Sequence, residues 1–371
     1  MNKNILILTA SIGHGHRSAA RATFKAIEKI GDKRINVEIL DFISFCSPIL
    51  DTIMQKNYNY ASTYAPQVQK FIYEITNKKS RVKILNLLLE KAFSRNIEEL
   101  VKEKKPEIII STFPLWDYAI EKISKKIRKD SYFFSIITDA ISVHKSWILA
   151  DTDFFFVSNE DTQNSLIGMG VKKEKIKNFG FPVDMKFREK VSRENVLQGF
   201  GLNPKNFTVV FYGNFVSQGA FSYIKNIQKH LPNLNFVILT GRDKNLLEKL
   251  NNSKAKNLIA FGWRDDIPEI IKSADVVVTK AGGASVMESI AAETPLLLTR
   301  VIPGQEEGNL ILVQKNNLGL ASFDQDLTKY VLERWSQRGE DFLEIKKNLK
   351  RFSRPKAAEK IAEFVIKEVL R

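Results

Sequence analysis

Short runs of β-branched and aromatic residues recur along this chain of 371 residues, separated by stretches whose apolar positions repeat every three or four residues. The first pattern predicts buried parallel strands and the second predicts amphipathic helices. NILILTA (4–10) reads as a first strand, SIGHGHR (11–17) as a glycine loop and SAARATFKAIEKI (18–30) as a helix. That helix has Ala19, Ala22, Ala26, Ile27 and Ile30 on its apolar side. Gly31 ends it and INVEILD (35–41) is the next strand. The unit is the opening of a doubly wound sheet. Residues 42–105 read as mostly helical, with no clear strand and with an aromatic cluster at Tyr58, Tyr60 and Tyr64. EIIIST (107–112), YFFSIIT (132–138) and DFFFVS (153–158) supply three more strands. Each ends in small polar residues, which puts Thr112, Thr138, Asp139, Ser158 and Asn159 at the carboxyl edge of a parallel sheet, where open α/β folds bind ligands.

FGFPVD (179–184) reads as a hinge, because Gly180 and Pro182 break regular structure. A second alternating series follows. Its strands are NFTVVFYGN (206–214), LNFVILTG (234–241), NLIAFGW (257–263), ADVVVTK (274–280) and PLLLTR (295–300). The helices between them are 222–231, 244–250, 266–274 and 284–292, and residues 355–371 form a last amphipathic helix. The expected organisation is a first Rossmann-like domain over 1–182 for an acceptor and a membrane, a second over 183–354 for a donor, and a C-terminal helix, 355–371, packing back toward the first. Two facing α/β domains then set two sheet edges across a cleft.

Net charge is +15, so an anionic partner is expected: nucleic acid, a membrane face or a phosphorylated substrate. The distribution narrows the choice. Residues 1–184 carry a net +7, and the block 70–129 alone carries +7. That block is also rich in Phe, Tyr, Ile and Leu, a combination suited to an anionic membrane surface. No recognised nucleic-acid module appears, so nucleic acid is not the expected partner. A single cysteine, Cys46, leaves no intramolecular disulfide or cysteine-based zinc site and fits a reducing cytoplasm.

Candidate chemistry gathers at the two strand edges. Gly282 and Gly283 open the helix 284–292, so Gly282, Gly283, Ala284 and Ser285 offer helix N–H groups and a positive dipole end to a phosphate. Glu288 lies further along the same helix, where its carboxylate meets a ribose. Gly262 and Trp263 suit a base, Arg242 an extra phosphate charge, and Gly304, Gln305, Glu306 and Asn309 form a polar cluster after the next strand. On the first edge stand Gly13, Gly15, His14, His16, Asp139, His144 and Trp147. Three of the four histidines lie here, and a histidine of ordinary pKa in a glycine loop is a general-base candidate. His14 and His16 alone do not converge as metal ligands do. The first loop also departs from the dinucleotide fingerprint, which removes a nicotinamide enzyme despite Asp41 at the end of the second strand.

These residues resemble the GT-B glycosyltransferases that build glycolipids on diacylglycerol: the monogalactosyldiacylglycerol synthases and processive diacylglycerol glucosyltransferases, with a more distant likeness to the transferase that adds N-acetylglucosamine to lipid-linked muramyl peptide. The likeness runs through Gly13, Gly15, His16 and Ala19-Ala20; Thr138-Asp139, His144 and Trp147; Gly180 to Val183; Phe261 to Trp263 with Ile267-Pro268-Glu269; Lys280 to Glu288; and Pro303 to Asn309. His14 stands where that family's first loop has a glycine, and 211–220 lacks a glycine-rich loop common in relatives. The resemblance implies a UDP-sugar donor and no cofactor or metal, with Glu288 on the ribose and Gln305 and Glu306 facing the sugar. It implies inverting hexose transfer to diacylglycerol or a glycosyl-diacylglycerol, His16 or else Asp139 as base, and action as a peripheral cytoplasmic protein on the inner face of the membrane. It does not choose between galactose and glucose. A UDP-sugar epimerase, another GT-B transferase with a lipid-linked acceptor and a non-catalytic nucleotide-sugar sensor are the rival readings.

Overall fold

A computed structural model describes residues 3–216, 218–253 and 255–370, without the side chains of Asn59, Lys79, Ser80, Val82, Lys83 and Leu85. Ser217 of the segment 211–220 therefore lies outside the described residues, as does Arg371 of the last predicted helix. The chain divides into two compact units, one of Met1–Met185, Pro303–Gly308 and Arg354–Arg371, the other of Lys186–Ile302 and Asn309–Ser353.

The first unit runs β1 (Lys3–Thr9), α1 (His14–Ile30), β2 (Ile35–Asp41), α2 (Phe42–Cys46), α3 (Pro48–Tyr64), α4 (Pro66–Thr76), α5 (Lys79–Lys104), β3 (Ile108–Ser111), α6 (Asp117–Ile127), β4 (Tyr132–Ile136), β5 (Phe154–Val157), α7 (Glu160–Gly168) and β6 (Ile176–Asn178). Its sheet is parallel in the order β2-β1-β3-β4-β5-β6. The strands are continuous apolar runs because helices cover both faces, and Ile108, Ile109, Ile110, Phe133 and Phe134 are all buried. β6 was not visible in the sequence: it has three residues, and of them only Ile176 is buried.

The second unit carries α8 (Arg193–Gly199), β7 (Thr208–Tyr212), α9 (Ala220–His230), β8 (Asn235–Gly241), α10 (Lys244–Asn252), β9 (Leu258–Gly262), α11 (Ile267–Ser273), β10 (Val276–Lys280), α12 (Gly283–Ala291), β11 (Leu296–Arg300), α13 (Glu307–Lys315), β12 (Gly319–Ala321), α14 (Gln325–Ser336) and α15 (Glu340–Phe352). Its parallel sheet has the order β12-β11-β10-β7-β8-β9. The edge strand β12 is short and begins at a glycine for a steric reason: a Cβ on Gly319 would lie 2.1 Å from the Leu296 carbonyl oxygen.

The last helix, α16 (Ala357–Leu370), belongs to the first unit. It lies against α1, and its buried Ala357, Ala358, Ile361 and Val365 match the small residues Ala19, Ala22 and Ala26 of α1. Phe364 meets Phe154 edge-on at 4.8 Å and Phe156 at 5.7 Å between ring centroids. Gly180 makes room for the returning chain. Its φ is 104°, and a Cβ there would come within 2.7 Å of the Arg354 Cβ.

Candidate active site

The histidine turn is built by the ends of three adjacent strands. Gly13 adopts φ 78° and is the N-cap of α1, so the helix begins at His14. This corrects the expected loop over 11–17: His14 and His16 lie in the first helical turn, where a glycine-rich composition hides helical geometry. His14 is exposed. His16 is buried, with Nδ1 2.6 Å from the Thr112 carbonyl oxygen and 2.8 Å from Thr138 Oγ1. A carbonyl only accepts, so Nδ1 carries the hydrogen and the lone pair is on Nε2. Burial lowers the imidazole pKa to about 4, against a smaller upward effect of the Thr112 hydrogen bond. Phe113 packs edge-on to the ring at 4.8 Å.

Asp139 follows β4. Its Oδ2 accepts from the backbone N–H of His144 and from Trp147 Nε1, both at 3.0 Å. Burial raises its pKa despite these two bonds. Oδ1 makes no hydrogen bond among the described residues. Trp147 is fully buried and bears on the site through Asp139. His144 is tied at both ring nitrogens. Its Nδ1 accepts from the Ser146 backbone N–H at 3.3 Å, which leaves Nε2 to donate to Thr76 Oγ1 of α4 at 3.3 Å. Burial brings its pKa down to about 4. His144 thus fastens the loop after β4 to α4.

Sequence reasoning passed over Asp117. It is fully buried at the start of α6, where Ser111 Oγ (2.5 Å) and Ser135 Oγ (3.2 Å) donate to it. Burial pushes its carboxyl up to about 7. Ser111 also receives the Phe113 N–H at 3.3 Å, so this carboxyl holds the turn that presents the Thr112 carbonyl to His16. An aspartate in FPLWDYAI carries no local signal of that role.

In the second unit, Gly282 is the N-cap of α12 and provides no side chain for the first-turn N–H groups of Gly283, Ala284 and Ser285. Ser285 Oγ is occupied within the turn: it accepts from Thr279 Oγ1 at 3.0 Å and donates to the Gly282 carbonyl at 3.2 Å. Glu288 Oε2 accepts from the Tyr212 hydroxyl at 2.7 Å. Asn309 Nδ2 donates to the Ala281 carbonyl at 2.9 Å, while its Oδ1 is buried with no partner among the described residues. That orphan acceptor stands at the same turn as the uncapped N–H groups. Gly262 ends β9, and Trp263 after it is 58% exposed with the Arg242 guanidinium 6.0 Å from its ring centroid. Arg242 makes no ion pair among the described residues. Asp266 is held by Arg264 and Asp243 caps α10.

Residues 303–308 pack within the first unit. Gln305 Oε1 accepts from the Tyr58 hydroxyl and from Gln69 Nε2, each at 3.0 Å. Glu306 is buried, and Lys70 of α4 reaches Glu307 at 3.4 Å. A Cβ on Gly304 would lie 3.2 Å from the Tyr73 ring, and one on Gly308 would be 1.9 Å from the Ala140 carbonyl oxygen. Among the described residues no group of three or more His, Cys, Asp or Glu side chains is arranged to hold a metal ion. Among the described residues no helix is long and apolar enough to cross a membrane.

Comparison with known proteins adds to this geometry. Residues 16–183 match the family model described as monogalactosyldiacylglycerol (MGDG) synthase, and residues 194–363 match the glycosyltransferase family 28 C-terminal domain. A processive diacylglycerol beta-glucosyltransferase of Bacillus licheniformis is 26% identical over 379 residues, covering 99% of this chain and 95% of the relative. Among solved structures, Acinetobacter baumannii MurG aligns with a TM-score of 0.60 at 12% identity, over 98% of this chain and 99% of that one. The UDP-GlcNAc 2-epimerase of Neisseria meningitidis, bound to UDP-GlcNAc, aligns with a TM-score of 0.61 at 11% identity, over 98% of this chain and 100% of that one. At such identities the two structures establish the two-domain α/β fold, GT-B, and nothing finer.

Proposed function

The chain belongs to the GT-B glycolipid glycosyltransferases, and from that premise we propose that it moves a hexose from a UDP-sugar to the hydroxyl of diacylglycerol or a glycosyl-diacylglycerol, inverting the anomeric carbon. The observation that carries the reading is the tautomer of His16. With Nδ1–H donated to the Thr112 carbonyl, Nε2 is a neutral, unprotonated base. In the proposed step the acceptor oxygen bonds to the sugar's anomeric carbon and its proton passes to Nε2. The bond from that carbon to the β-phosphate oxygen breaks, and its electron pair leaves with UDP. The uncapped N–H groups at the start of α12 suit the developing phosphate charge, which fixed dipoles stabilise without reorganising. Glu288 is assigned to the ribose, Gln305 and Glu306 to the sugar, and Asp139 is the second candidate base. No metal enters this scheme.

Exposed apolar side chains on three helices support action at a membrane surface. Ile49, Val68, Phe71, Ile72 and Leu88 of α3 to α5 are all at least half exposed. Exposed apolar groups in such number mark an interaction surface, and the net positive charge favours an anionic lipid face, which we assign to the cytoplasmic side.

The direct test incubates the full chain with diacylglycerol vesicles and a panel of UDP-sugars, then identifies the lipid product and its anomeric configuration. A β-linked hexosyl-diacylglycerol from an α-linked donor is expected. An epimerised UDP-sugar with no lipid product would replace transfer with epimerisation, and UDP binding without turnover would make the protein a sensor.

A further inference from the structure

We propose that Tyr58 of α3 and Gln69 of α4 are positioning residues for Gln305, fixing which end of its amide is presented to the donor sugar. This rests on the reading above, in which Gln305 faces that sugar. Both lone pairs of Gln305 Oε1 are engaged, by the Tyr58 hydroxyl and by Gln69 Nε2. Nε2 of Gln305 has no partner among the described residues, so Gln305 offers N–H donors and takes hydroxyl oxygens of a hexose as acceptors.

The arrangement has a built-in alternative. Gln69 Oε1 is buried and unpartnered, an unfavourable position for an amide oxygen. Turning the Gln69 amide over would set its oxygen against the Gln305 oxygen. Gln305 would then have to turn as well, pointing Nε2 inward and Oε1 at the sugar. The Tyr58 hydroxyl, which donates or accepts, serves either arrangement. The two glutamines are thus coupled, and the pair decides whether the sugar meets a donor or an acceptor. Backbone placement of the segment does not depend on this pair, since Lys70 pairs with Glu307 and the Tyr73 ring closes on Gly304. Tyr58 also lies beside the histidine turn: a Cβ on Gly13 would be 3.5 Å from its hydroxyl.

The test uses the full chain with diacylglycerol vesicles, UDP-glucose and UDP-galactose, and calorimetric binding of UDP alone. Gln305→Ala sets the scale. Tyr58→Phe combined with Gln69→Leu is expected to raise KM for the UDP-hexose roughly 5- to 20-fold, the effect of losing a defined hydrogen-bond donor to a sugar. It should leave kcat and the affinity for UDP within about twofold, since UDP alone lacks the sugar that Gln305 faces. Gln69→Glu is nearly the same shape but only accepts, so it forces the turned-over arrangement. It should change the ratio of kcat/KM between the two C4 epimers. If Gln305→Ala raises KM while neither the double variant nor Gln69→Glu moves KM or the epimer ratio, the positioning role is wrong and the donor site stands. If Gln305→Ala itself leaves KM for UDP-hexose unchanged, the donor-site reading falls, and this proposal with it.

Discussion

His16 gives the sharpest prediction because burial moves its titration far from that of an ordinary imidazole. Its conjugate acid is held at about 4, so about 97% of the enzyme keeps an available Nε2 at pH 5.5, against about one-tenth for an imidazole titrating near 6.5. The profile of kcat/KM reports the free enzyme. Between pH 7.5 and 5.5 it should therefore stay nearly flat, whereas an exposed histidine base would lose about tenfold. The assay is initial-rate transfer from UDP-hexose to diacylglycerol in detergent-stabilised micelles at each pH, at low donor concentration. Replacing His16 with Ala should lower kcat by about 10²- to 10⁴-fold, the usual range for a lost general base, with UDP affinity little changed. An acid limb centred between pH 6 and 7 that persists in Asp117→Asn would refute the reasoning, because the buried, Thr112-bound imidazole cannot produce it. A full loss on Asp139→Asn with His16→Ala still active would transfer the role to Asp139.

Other expectations follow from the same geometry. Asp117 is raised to about 7 in the folded chain, so between the ordinary carboxylate range and pH 7 the native state holds a proton that the unfolded state releases. Its contribution is present at low pH and lost as pH rises through 7, by up to a few kcal/mol. Asp117→Asn cannot titrate and should raise the melting temperature at pH 8 more than at pH 5. Gly308→Ala would press a Cβ to 1.9 Å from the Ala140 carbonyl oxygen. Because that neighbour is backbone, the 303–308 segment should shift and kcat/KM for UDP-hexose fall by about tenfold or more, while unfolding stays cooperative. Phe71→Ser with Ile72→Ser should weaken co-sedimentation with anionic vesicles by about tenfold per residue if both side chains enter lipid. Raising salt should weaken binding of the wild type further.

The elements most legible in the sequence are those whose signal is local. Five C-terminal strands and the helices between them follow from apolar runs such as VVVTK and LLLTR, because a strand covered on both faces has no polar positions to confuse its pattern. β6 and β12 escape notice because they have three residues each and draw their stability from a neighbouring strand. The start of α1 is hidden for a different reason, since Gly13 caps it through a positive φ that any glycine loop would also allow. The histidine turn, Asp139 and the Gly282–Glu288 turn stand out in the sequence as candidates, because each follows an apolar strand run at the carboxyl edge of a sheet. Tyr58 and Gln69 do not: they meet Gln305 from 247 and 236 residues away, and a tyrosine in a helix rich in tyrosines gives no hint of which one turns inward. Asp117, at the start of α6, is likewise defined by a partner on the strand β4, Ser135.

The return of α16 bears on how this protein comes off the ribosome. Phe134 and Phe156 of the first sheet are covered in part by Phe364, which is translated only after every residue of the second unit. The first unit to be synthesised is therefore the last to be completed. A nascent chain halted before α16 would expose aromatic rings and the alanine-lined side of α1, which is the kind of surface that recruits chaperones or aggregates. Vectorial synthesis would favour prior folding of residues 186–302 and 309–353, with closure of the first sheet as the late event. Pulse-labelled translation intermediates should show protease resistance in the second unit before the first.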